Sequence, residues 1–308
     1  MSGQGGAAKL IRSQLRRHAV AEEEIESVLV KRQVVVSSGN GLKRTRRIDV
    51  VADIRSAGGR VVLLIEDKTG SPLSANQFID TLGGARDRQK WSEARFAPLY
   101  LRTGNAPRDA PAAVAGWSLY GRSDLLAALD EVSEQVCDNA ILSDFRAHIE
   151  RLDRETAAFR VGIDRPWEPA AWHGYFAALE QAVYERVGNE ANGIGWGHIR
   201  GEHTEGLWWT GSRVYPQITG TQTRLALSFR LHTEGVSGDD RTRQIDLARD
   251  VLAEHGFPLN VFGRTARAGA RTLSLGRQAR DFRSDPLDVA ADTARLVAAR
   301  DAARHAGS

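Results

Sequence analysis

The chain has 308 residues, 42% apolar and 26% charged, with a formal net charge of +3. These values describe a soluble globular protein long enough for two domains, and no run approaches the ~18 apolar residues of a membrane span. A single cysteine, Cys137, excludes an internal disulfide and a cysteine-rich zinc site; no apolar signal segment follows Met1, so a cytoplasmic location is expected.

In chain order, residues 6–18 pattern as a short amphipathic helix, and the acids of Glu22–Glu26 suit the N-terminal end of a following turn. Val28 to Ser37 reads as a first strand, closed by the turn signal Ser38-Gly39-Asn40-Gly41. Lys43, Arg44, Arg46 and Arg47 then set four cations just ahead of Asp49. Such a run is either a solvated loop or a grip on a phosphate backbone, and the sequence balances the two.

Arg46–Arg55 and Arg60–Gly70 are β-rich runs flanking Ser56-Ala57-Gly58-Gly59, the pattern of an antiparallel hairpin. A turn centred between Ala57 and Gly58 sets Asp49 opposite Glu66, with Cβ atoms about 4.5–5.5 Å apart. Alternation puts Lys68 on the face of Glu66 and turns Asp67 the other way. Val61 to Ile65 is unbroken aliphatic, as in a strand covered on both faces. Two unit charges about 4 Å apart repel by about 4 kcal/mol at an effective dielectric near 20. A raised pKa, Lys68 or a hard divalent cation would relieve that repulsion. An ordinary cross-strand ion-pair cluster, worth about 0–1 kcal/mol, is the competing reading.

Ser74 to Arg88 reads as a helix carrying Gln77 near its start, with a break expected at Gly83-Gly84. Strands are expected at Phe96–Arg102 and Trp117–Tyr120, then a helix capped at Ser123-Asp124 running to Val136, and another over Ile141–Phe159.

Arg47-Ile48-Asp49, Ile65-Glu66-Asp67-Lys68 and Gln77, in that order around an aliphatic strand, resemble the PD-(D/E)XK nuclease superfamily, in its bacterial branch with an I-E-x-K motif followed by Gln. The likeness covers roughly residues 25–155. It implies a restriction-endonuclease-like α/β core, a mixed sheet flanked by helices. It implies that Asp49 and Glu66 bind Mg2+, or Mn2+, helped by Asp67 through its main-chain carbonyl. Lys68 would activate the attacking water, and Gln77 would support the site or contact substrate. Ile48 stands where the family often has Pro. The family's further acid on the first helix has no counterpart within Lys9–His18, leaving Glu22, Glu23 or Glu24 as candidates.

A boundary falls near Val161–Pro169, giving domains at 1–160 and 161–308. The second half reads as α+β: a helix over Trp172–Val187, strands at Gly206–Gly211, Arg213–Thr219, Thr223–His232, Asn260–Phe262 and Arg271–Leu275, and helices over Arg243–His255 and Asp285–His305. Gly256 with Pro258 after it is a strong helix stop. The tryptophans between Trp167 and Trp209 suit a domain core more than base stacking. Arg264, Arg267, Arg271, Arg277, Arg280 and Arg283 against Asp281 form a second basic tract, balanced between DNA contact and solvated loop. His198-Ile-Arg-Gly-Glu-His203 lacks helical zinc spacing, and Gly193-Ile-Gly-Trp-Gly, following no strand, is no dinucleotide fingerprint.

The expected activity is Mg-dependent hydrolysis of nucleic-acid phosphodiesters, DNA first, with a homodimer left open. A catalytically silent nucleic-acid-binding protein of the same fold is the alternative, and a partner-binding assembly protein a third reading.

Overall fold

The computed structural model describes residues 25–37, 45–68, 75–105, 116–131, 139–160, 167–199, 204–220, 224–234, 238–260, 272–281 and 287–308. It is mixed α/β, with two five-stranded sheets and six helices among the described residues. The chain divides into two compact units, Met1–Arg154 and Glu155–Ser308.

In the first unit, β1 (Ile25–Ser37), β2 (Thr45–Ser56) and β3 (Gly59–Asp67) form an antiparallel meander. Helix α1 (Ala75–Arg86) returns the chain to β4 (Arg95–Leu101), parallel to β3, and β5 (Ser118–Tyr120) adds in parallel at the edge. The aliphatic run of β3 divides between two faces. Val62 and Leu64 meet Phe78, Leu82 and Ala85 of α1 together with Tyr100 and Trp117. Val61 and Leu63 meet Ala52, Ile54, Ala97, Leu99 and Tyr120. Beyond them, Leu101 packs with Leu125 of α2 (Arg122–Glu131) and Ile149 of α3 (Ala140–Ala157). Each fully buried aliphatic side chain contributes about 1.5–3 kcal/mol, so the end of β3 is held firmly.

Ser56 pairs with Gly59 around the turn Ala57-Gly58, at the expected centre. The Arg60 guanidinium forks onto Asp53 at 2.6 and 2.8 Å and clamps the hairpin. That contact holds the Asp53 carboxyl below the usual carboxylate range. The break expected in α1 does not occur. A Cβ on Gly84 would stand 3.1–3.2 Å from Ser37 and Val36, so glycine there lets an unbroken helix approach β1. Asp124 does not cap α2 as expected either; its Oδ2 accepts from the Gly121 N–H at 3.1 Å, and the helix starts at Arg122. The acid occupies the third helical position and bonds back to the cap.

The second unit runs α4 (Pro169–Val187), β6 (Ile194–Ile199), β7 (Thr204–Trp209), β8 (Val214–Gly220), β9 (Arg224–His232), α5 (Gly238–Glu254), β10 (Thr272–Asp281) and α6 (Val289–Ala306). Its sheet is antiparallel throughout, in the order β10-β9-β8-β7-β6. Trp172, Trp196 and Trp209 are buried in its core, as the core reading of the tryptophans expects. Strand β6 was not expected from its glycines. Asn260 makes an isolated bridge to Arg277, while residues 261 and 262 lie outside the described residues. Gly256 ends the run after α5 at φ +85°.

Candidate active site

The β2–β3 register runs from Ser56–Gly59 to Val50–Ile65, and one further step aligns Asp49 with Glu66. The Asp67 backbone N–H donates to Asp49 Oδ2 at 3.0 Å, tying the two strand ends together. On the other side, Gln33 Nε2 donates to Asp49 Oδ1 at 3.2 Å.

Gln33 is the one non-glycine at positive φ among the described residues, at +53°. The β1–β2 ladder passes from Arg32–Val50 to Val34–Ile48 with the Gln33–Asp49 step missing. Val28, Ala52 and Ile54 pack on one face of the sheet. Val34 and Ile48, an even number of residues away along the same strands, pack on the other. The strands therefore turn over at Gln33 and Asp49. A left-handed non-glycine residue costs about 1–3 kcal/mol and persists only where its surroundings hold it.

Glu66 is 2% exposed. Burial, then the charge and contact of the Asp49 carboxyl, push its pKa up to about 8, against a smaller lowering by Lys68. Its Oε1 is buried and accepts no hydrogen bond. A buried carboxylate oxygen without a donor costs about 1–3 kcal/mol or more, so this atom fits a cation better than a closed ion-pair cluster. The Asp67 side chain turns away, accepting from Thr103 Oγ1 at 2.9 Å. Loss of water around that carboxyl, with the Asp49 charge, holds its pKa above the ordinary value despite the Thr103 bond. No three His, Cys, Asp or Glu side chains gather as a metal-binding group among the described residues. A metal here would rest on the Asp49–Glu66 pair, main-chain oxygen and water. Two carboxylates suffice for a hard ion that keeps most of its waters.

Lys68 follows β3, its N–H donating to Leu101 O at 3.0 Å. Gln77 is half-buried in the first turn of α1. Its neighbour Phe78 packs edge-on against Tyr100, 5.1 Å between centroids, and Tyr100 is the β4 partner of Glu66. Arg46 bonds Asp80 of α1 at 2.7 Å, so its guanidinium docks a helix. Arg47 is exposed. Glu22, Glu23, Glu24, Lys43, Arg44, Arg264, Arg267 and Arg271 lie outside the described residues. In the second unit, His198 meets Glu205, which also bonds His173, at 3.1 and 2.9 Å. Gln33 escaped the sequence reading, because its role depends on pairing across β1 and β2.

No family model matches the sequence, and no curated protein matches it. A solved chain described as MspJI Restriction Endonuclease in Complex with 27-mer Oligonucleotide is similar at 21% identity, with a TM-score of 0.23. The match covers 48% of this chain and 32% of that one, so this chain spans about a third of that chain's length. A likeness at that score carries no argument; the site rests on its own geometry.

Proposed function

We propose that the first unit is a metal-dependent nuclease of the PD-(D/E)XK kind, hydrolysing DNA phosphodiester bonds. The observation that carries this is Glu66: a buried carboxyl pressed against Asp49, within the field of Lys68, with one oxygen lacking any donor. Asp49, Glu66 and the main-chain carbonyl of Asp67 would hold Mg2+ or Mn2+. When bound, the ion polarises the phosphate and acidifies a coordinated water. Lys68 offsets negative charge that develops on the phosphate, from a position fixed by its backbone bond to β4. Gln77 supports the site from the start of α1.

Supercoiled plasmid incubated with and without Mg2+ tests this, with Asp49→Ala and Lys68→Ala beside the wild type. Metal-dependent nicking is expected, and each substitution should lower it more than about a hundredfold, since losing even a partner of a metal ligand costs about 10–100-fold. Nicking that survives both changes, or a wild type that never cuts, removes the proposal.

A further inference from the structure

The first sheet ends on an open edge. Strand β1 is outermost and pairs with β2 alone among the described residues, so alternate residues turn their backbone N–H and C=O groups away from the sheet. Outside that ladder, no backbone hydrogen bond among the described residues reaches Ile25–Ser37. Proteins keep such edges short or charged, because a row of open donors and acceptors pairs readily with another strand. This one is 13 residues long. Leu29 and Val30, near its middle, are 54% and 56% exposed. As neighbours in a strand they stand on opposite faces, Leu29 beside Asp53 and Val30 beside Ala52. The apolar exposure therefore follows the edge itself rather than either face of the sheet.

Charge is laid out unevenly along the same run. Glu26 stands at the register shift between Ile25 and Ser27, and Lys31 and Arg32 precede the left-handed Gln33. All three charged residues are exposed, and none makes an ion pair among the described residues. An acid at one end and two bases at the other suit an antiparallel copy of the same strand. A twofold axis at Leu29 sets Glu26 opposite Arg32 of the second copy, Ser27 opposite Lys31, Val28 opposite Val30, and Leu29 opposite itself. An axis at Lys31 or Arg32 instead sets like charges face to face, which is destabilising. An axis at Val28 or Val30 leaves Glu26 opposite an aliphatic residue.

We infer that β1 pairs antiparallel with β1 of a second copy of this chain, about a twofold axis at Leu29. The two first-unit sheets then become one sheet across the pair. Edge lysines usually guard against such pairing; here the bases of each copy meet the acid of the other. The contact satisfies the outward backbone groups from Ile25 to Gln33 and covers Val28, Leu29 and Val30. It uses neither a metal nor the nuclease reading, so it is tested apart from both.

Sedimentation equilibrium of the full chain in EDTA, over roughly a hundredfold range of concentration, tests this. A monomer–dimer equilibrium is expected. Leu29→Lys sets two ammonium groups against each other at the axis and should raise the dissociation constant at least about tenfold. Glu26→Lys and Arg32→Glu should each weaken self-association about tenfold, because each replaces two attractive contacts with two repulsive ones. Mixed in equal amounts, these two charge variants should form a heterodimer about as tight as the wild-type dimer, since each then meets its opposite charge. The substituted positions are exposed, and thermal melts matching the wild type check that each variant is folded. A chain that stays monomeric throughout overturns the inference and leaves the edge to a strand of another protein. A dimer indifferent to Leu29→Lys also overturns it, because the association then lies elsewhere. Charge variants that fail to associate on mixing overturn the antiparallel register.

Discussion

The two units treat a buried carboxylate in opposite ways. In the second, Glu180 accepts from Trp196 Nε1 at 2.8 Å, Asp292 accepts from the Tyr175 hydroxyl at 2.6 Å, and Glu205 meets two histidines. Each acid there is supplied with a donor by its own fold. In the first unit, Glu66 is buried against a second acid and one of its oxygens accepts nothing. The contrast separates acids that the fold itself supplies with a donor from one that has a buried oxygen without a hydrogen-bond partner, and it does so without reference to any motif.

The largest effects should come from neutralising Glu66. Glu66→Gln should abolish metal-dependent cutting and yet stabilise the metal-free protein in alkali. A carboxyl whose folded pKa lies above its unfolded value retains a proton that the unfolded chain gives up. Its stabilising contribution is therefore whole below the ordinary carboxylate range and lost as pH rises toward about 8. At about 1.4 kcal/mol per pKa unit, the loss is on the order of a few kcal/mol. Thermal melts of wild type and Glu66→Gln in EDTA should coincide near pH 4 and separate by pH 9, the variant melting higher. Curves that stay together at pH 9 would remove the buried-acid account. Glu205 has the opposite sign. Its histidine partners hold its carboxyl below the usual range in spite of burial, so its contribution is lost as pH falls through that lowered value.

A smaller effect should follow from breaking a satisfied pair. Tyr175→Phe removes the hydroxyl that serves Asp292 and should cost about 1–3 kcal/mol of stability. Denaturant melts should show it in the unfolding of the second unit, while plasmid nicking by the folded protein stays unchanged. Lost nicking without lost stability would mean that Asp292 is not merely structural.

The hairpin was legible because its determinants are local. A two-residue turn and an unbroken aliphatic run set the register, and the register sets Asp49 against Glu66. What escaped was decided at a distance. Gly83-Gly84 looked like a helix break, but Gly84 is shaped by the approach of Val36 and Ser37 from β1. The glycines of β6 looked like a loop, yet Gly195 is where Trp208 lies and Gly197 pairs with Gly206. Arg46 stood among cations suited to phosphate, and Asp80, 34 residues on, claims it. Gln33 gave no local sign at all, since an ordinary glutamine becomes special only when the strand opposite presents Asp49.

Gln33 offers the finest cut between structure and site. Its left-handed backbone is a cost that glycine would not carry, so Gln33→Gly should leave stability unchanged or raise it by up to about 1 kcal/mol. The same change removes the amide that holds Asp49 Oδ1. Partners that orient a ligating carboxylate are typically worth 10–100-fold in metal affinity. Mn2+ binding followed by electron paramagnetic resonance should therefore weaken about tenfold, at the lower end of that range, because the Asp67 N–H still holds Oδ2. Stability and affinity moving in opposite directions is an outcome that a merely structural residue cannot produce. If the glycine variant binds Mn2+ as tightly as the wild type, the left-handed turn serves only the bend of the strands, and Asp49 is positioned by β3 alone.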